Sequence, residues 1–114
     1  MRNIYFALGG VLVLVGVLGF VMPSPLRGLF EVNTLLNIIH LASGALTLLA
    51  ASQGIGGMRT WGRICGLIYL AVAIIGFVDP SVFGLMHVNL SDNLLHLGLA
   101  AGFLYVGFLA PPTL

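Results

Sequence analysis

Asn37 and His40 stand three residues apart in a strongly apolar stretch, and Asn93 and His96 repeat that spacing in another. On an α-helix, residues three apart share a face, so each pair presents an amide and an imidazole in one direction. Polar side chains facing lipid are costly, so both faces should point into a helix bundle. Two kinds of chemistry fit. In the first, each imidazole bonds an asparagine or a backbone carbonyl of the opposite hairpin and fixes how the helices register. Interhelical hydrogen bonds in membranes average only about 0.6 kcal/mol, so the gain is specificity more than stability. In the second, two neutral imidazoles at equal depth on different helices ligate a b-type haem axially. One of them alone would serve the magnesium of a (bacterio)chlorophyll. Gly44, Gly98 and Ala100 would leave room for a flat ring. Against this, four short helices leave little volume for a macrocycle, and no basic residue stands where propionates would need one. Packing is the leading expectation, and haem or chlorophyll on His40 and His96 the alternative.

Other reactive residues form no constellation. His87 falls in a loop at the position matching Glu31 and reads as a solvated residue. A zinc site built from it and the helix histidines would lack cysteine or carboxylate partners at ligand spacing. The single cysteine, Cys65, excludes an internal disulfide and any multi-cysteine metal site. Ser43, Thr47 and Ser81 have no base-and-acid arrangement suggesting a triad. Ion coupling would need a buried carboxylate or lysine, and the apolar stretches contain none. No catalytic residue is expected, and a channel or transporter is a distant third reading.

These residues must be positioned by something other than a soluble fold. The 114-residue chain is 60% apolar and 6% charged, with a mean hydropathy of +1.16. Soluble domains carry about 25% charged residues. Four arginines and three acids, with no lysine, cannot cover a soluble surface. A soluble enzyme, a nucleic-acid binder and a disordered tail are thereby excluded, and the surface must face lipid.

Four apolar stretches stand out, at 4–22, 33–52, 62–78 and 93–110. Each has roughly 17–20 residues, enough for a helix to cross about 30 Å of hydrocarbon. None shows the alternation of a membrane strand. The first is too long for a signal-peptide core and no cleavage site follows it, so it is expected to be retained. Met22-Pro23-Ser24-Pro25-Leu26-Arg27-Gly28 should stop the first helix, and Gln53-Gly54-Ile55-Gly56-Gly57 should form a flexible loop. Asp79-Pro80-Ser81 should end the third, and Ser91 or Asp92 should cap the fourth. Arg2, Arg59 and Arg63 share one side against Arg27 on the other, which puts both termini in the cytoplasm. Tyr5 and Trp61 would then sit at the cytoplasmic interface.

The halves 1–55 and 56–114 repeat each other. Gly19-Phe20-Val21 followed by Pro23-Ser24 matches Gly76-Phe77-Val78 followed by Pro80-Ser81 at an offset of 57 residues. Gly28-Leu29, Val32-Asn33, Asn37 and His40-Leu41 match Gly84-Leu85, Val88-Asn89, Asn93 and His96-Leu97 at an offset of 56. Two duplicated hairpins with an even number of spans enter the membrane the same way, giving a parallel pseudo-twofold repeat. Gly62 with Gly66, and Gly98 with Gly102, have the spacing that lets membrane helices approach. They cannot all be used within so small a bundle, so one pair is expected to face another subunit.

The segments Leu29-Phe30-Glu31-Val32-Asn33, Asn37-Ile38-Ile39-His40-Leu41-Ala42-Ser43-Gly44 and Asp92-Asn93-Leu94-Leu95-His96-Leu97 resemble a group of small bacterial four-helix membrane proteins. That group is known as a domain of unknown function, and the resemblance runs over almost the whole chain. It implies an all-α, four-span bundle in the bacterial inner membrane with the Asn-His pairs as its hallmark, and it implies no activity. The expected function is that of a non-enzymatic small membrane protein, an accessory subunit of a larger complex or a homo-oligomer.

Overall fold

The computed structural model describes residues 1–22 and 33–114. The expected break at 23–28, and the positions of Arg27 and Glu31, lie outside them. Among the described residues the fold is all-α, with four helices: α1 (Arg2–Val21), α2 (Thr34–Ala50), α3 (Ile55–Val78) and α4 (Leu90–Leu104). A π-helical turn, Tyr105–Leu109, continues α4, and the described residues contain no strand. Three spans, α1, α3 and Leu90–Leu109, are long and apolar enough to cross a membrane. At 17 residues α2 is shorter, at the lower limit of what a bilayer requires.

The starts of α2 and α4 are set by asparagine. Asn33 accepts the Leu36 N–H at 2.9 Å, and Asn89 accepts the Asp92 N–H at 2.9 Å. The Asp92 carboxylate accepts the Asn89 N–H in return, at 3.0 Å. This reciprocal pairing satisfies two of the donors that a helix start leaves open. Ser91 and Asp92 therefore lie inside the first turn of α4, and the cap stands two residues earlier than Ser91. Likewise α3 begins at Ile55, so Gly56 and Gly57 are helical and the α2–α3 connection is only a short turn. Nothing there lacks a backbone N–H, and Met58 already bonds the Gly54 carbonyl at 3.1 Å.

The ends of α2 and of the turn that continues α4 are closed by arginine. Arg2 Nε donates to the Ala51 carbonyl at 2.6 Å beyond α2. Arg59 donates to Val106 and Ala110, at 3.1 and 2.7 Å, and Arg63 Nε to Gly107 at 2.8 Å. These carbonyls have no partner further along their helix, and a cation suits the negative end of the helix dipole. All three arginines thus lie at one end of the bundle, while Asp79 ends α3 and Asp92 starts α4 at the other.

Helices α1 and α2 pack along each other, as do α3 and α4. Without a hydrophobic drive between helices in lipid, close packing at small residues holds such pairs together. A Cβ at Gly44 would come within 2.7 Å of the Val13 backbone nitrogen, and one at Gly62 within 2.6 Å of the Phe103 carbonyl oxygen. The core between the hairpins is an aromatic column to which α1, α3 and α4 contribute. Tyr5 stands 5.9 Å from Phe103, Phe103 6.1 Å from Tyr69, and Tyr69 5.7 Å from His96, centroid to centroid. Tyr5 is fully buried and donates its hydroxyl to the Met58 carbonyl. Tyr5, expected at the interface, is thus packed inside the bundle at its arginine end.

Candidate functional site: the buried Asn-His pairs

The structure brings His40 and His96 together. Their Nε2 atoms lie 3.2 Å apart, with ring centroids at 5.4 Å and planes inclined by 56°. Both side chains are buried, at 1% and 0% exposure. The contact is imidazole to imidazole rather than imidazole to amide or carbonyl. In a neutral pair one Nε2 carries the hydrogen and donates while the other accepts, so the two rings hold different tautomers. The Tyr69 ring flanks both, stacked on His40 at 6.4 Å.

Each asparagine turns the other way, into its own hairpin. A Cβ built on Gly19 of α1 would overlap the Asn37 side-chain oxygen, and one on Gly76 of α3 would overlap that of Asn93. Each amide oxygen thus sits in the notch a missing side chain leaves, facing a glycine Cα–H. Such Cα–H···O contacts recur where helices pack closely, at about 0.5–1 kcal/mol each. Among the described residues neither Asn oxygen has a conventional donor. The Asn-x-x-His spacing therefore divides two tasks: asparagine locks α1 to α2 and α3 to α4, and histidine joins the hairpins.

Further polar contacts cross between the hairpins on the side where α2 meets α3. Ser43 Oγ and Tyr69 Oη are 2.6 Å apart, and Trp61 Nε1 donates to Thr47 Oγ1 at 2.9 Å. Both hydroxyls also donate to α2 carbonyls, Ser43 to Ile39 and Thr47 to Ser43, each at 2.6 Å. Trp61, expected at the interface, reaches inward to Thr47. Tyr69 was not singled out by the sequence. Its place one ring from both histidines depends on the packing of α3 against α2 and α4, which no local pattern signals.

The small residues divide. Gly62 and Gly66 pack against α4, and Gly102 against Leu8 of α1, whereas nothing lies within 4 Å of a Cβ at Gly98. Gly44 is covered by Leu12 and Val13 and Ala100 is buried. His87 is exposed on the loop after α3. Cys65 is a free, buried thiol.

That loop is organised by Asp79, whose carboxylate accepts the Ser81 hydroxyl at 2.7 Å and the Ser81 and Phe83 N–H groups at 3.1 and 2.9 Å. The Ser81 hydroxyl first, then the two amides, hold its carboxyl below the usual carboxylate range. The loop drives Val82, Phe83 and Gly84 into left-handed backbone, with φ of 46°, 58° and 79°. For a β-branched residue that is a strained conformation, and it turns Val82 inward onto Leu36 and Val88.

A family described as a domain of unknown function (DUF4383) matches residues 2–109. The chain belongs to it. As a DUF4383 protein it shows a four-helix, membrane-compatible fold, and the family description carries no activity. No curated protein and no solved structure matches the chain.

Proposed function

We propose that this DUF4383 protein is a non-enzymatic, multi-pass module of the bacterial inner membrane, with both termini cytoplasmic, that works by packing against other subunits or copies of itself. One observation carries the reading: the polar side chains in the interior of α2 and α4, with Tyr69 and Trp61 of α3, make contacts that join helices. His40 meets His96, Ser43 meets Tyr69 and Thr47 meets Trp61, while each asparagine fills a glycine notch. The equivalent Asn37–Gly19 and Asn93–Gly76 contacts also favour a duplicated hairpin with parallel pseudo-twofold symmetry. Haem or chlorophyll on His40 and His96 has less support. Axial ligation sets the two Nε2 atoms roughly 4 Å apart, twice a metal–imidazole bond, with a porphyrin plane between them. The imidazoles here touch, and Tyr69 fills the flank.

The test is the mass of the gently solubilised protein. An assembly larger than the 12.0 kDa chain is expected. Gly98→Leu, on the open face, should release the subunit still folded, whereas Gly62→Leu should unfold it. A lone monomer that neither substitution changes would remove the accessory-subunit reading.

A further inference from the structure

The arginine end of the bundle carries a feature that helix packing does not use. Between α2 and α3 a groove of about 220 Å³ is lined by Leu46, Leu49, Ala50, Gln53 and Trp61. Its walls are apolar except at the rim, where Gln53 stands on the turn after α2. The Arg2 guanidinium, outside the groove's lining, reaches the same turn: it donates to the Ala51 carbonyl and, at 3.4 Å, to the backbone carbonyl of Gln53. Those contacts use two of its five N–H donors, leaving three on a planar fork suited to a phosphate. Among the described residues the charged side chains are separated along the bundle. Arg2, Arg59 and Arg63 all lie at this end, and the acidic side chains among the described residues, Asp79 and Asp92, at the other.

An apolar groove ending beside a cation with free donors matches one chemistry, an acyl chain attached to an anionic headgroup. Basic pockets between membrane helices take such headgroups on the positively charged side. We propose that the groove between α2 and α3 binds an anionic phospholipid, with an acyl chain along Leu46, Leu49, Ala50 and Trp61 and the phosphate on Arg2. The proposal rests on the reading that the helices span a bilayer, and not on the accessory role.

The full chain is solubilised with mixed micelles of phosphatidylglycerol and phosphatidylcholine, and lipid retained through native mass spectrometry is counted. One phosphatidylglycerol per chain should be kept in preference to phosphatidylcholine. Arg2→Gln should weaken retention roughly fivefold, the effect of removing one cation near an anionic lipid. Because Arg2 also closes α2, a second variant leaves it in place: Ala50→Leu fills the groove and should reduce retention with the helical spectrum unchanged. Arg63→Gln, whose guanidinium stacks over Phe108 at 5.0 Å, should leave retention as in wild type. Equal retention of both lipids overturns the proposal, as does an equal loss in Arg2→Gln and Arg63→Gln, which marks unspecific attraction. Full displacement by soluble glycerol phosphate would remove the acyl chain's part and overturn it too.

Discussion

At Gly19 and Gly76 one added methyl group would collide with an asparagine side chain. Overpacking of this kind costs about 1–3 kcal/mol, so Gly19→Ala and Gly76→Ala should each lower stability by that much in detergent unfolding experiments. The cost should shrink when Gly19→Ala is made in an Asn37→Ala background, because the colliding atoms are gone. Coupling of this sign is what contacting residues give and distant ones do not. His40→Gln or His96→Gln should cost less, within the roughly 1.7 kcal/mol ceiling measured for interhelical hydrogen bonds in a membrane protein. Either variant should leave the absorbance spectrum free of a Soret or Qy band, as in wild type. A band in wild type that the variants lose would promote the porphyrin reading. At this scale the sequence was informative about which polar side chains lie buried, since polar types are rare in an apolar chain. It was silent about direction. Nothing in the spacing of Asn37 and His40 says that one turns into its own hairpin and the other out of it, because that depends on where α1 and α4 lie around α2.

The elements are bounded by groups that the sequence displays but does not rank. Asn33 and Asn89 occupy matching positions in the two halves, a sign of equal duties, and both prove to be caps. Ser91 and Asp92 drew attention because they sit beside the apolar run; the reciprocal Asn89–Asp92 pairing decides instead for the earlier residue. The π-helical turn at Tyr105–Leu109 had no visible signal. It places the carbonyls of Val106, Gly107 and Ala110 before Arg59 and Arg63, a match made across two helices. The loop after α3 offers a test with a defined sign. Asp79 titrates below its ordinary value in the folded protein, so the fold favours the ionised form. That contribution is complete above the ordinary carboxylate range and is lost as pH falls through the lower, folded-state value. Amide exchange at Phe83 and its neighbours, corrected for intrinsic rates, should therefore accelerate on acidification. In Asp79→Asn exchange should be faster at neutral pH and nearly independent of acid.

For the whole molecule, composition alone decided the class, since seven charged side chains cannot cover a soluble fold. The order of helices followed from four apolar runs. What remained hidden was how the hairpins meet, a matter of long-range side-chain contacts between α2, α3 and α4. Orientation rests on Arg2, Arg59 and Arg63 sharing an end, and it can be read directly. A cysteine at position 1 or after Leu114 should resist an impermeant maleimide in intact cells, whereas Leu85→Cys, on the exposed opposite loop, should react. Native Cys65 is buried and adds little background.

The central claim is that the two helix histidines bind each other and so join the halves. Nitrogen-15 spectra of histidine-labelled protein in micelles test it most directly, because tautomers and hydrogen-bond partners are resolved there. The account predicts one protonated and one bare Nε2, with a scalar coupling between His40 and His96 that either Gln substitution abolishes. Two uncoupled imidazoles of the same tautomer, or Nε2 resonances displaced by a bound metal, would contradict it.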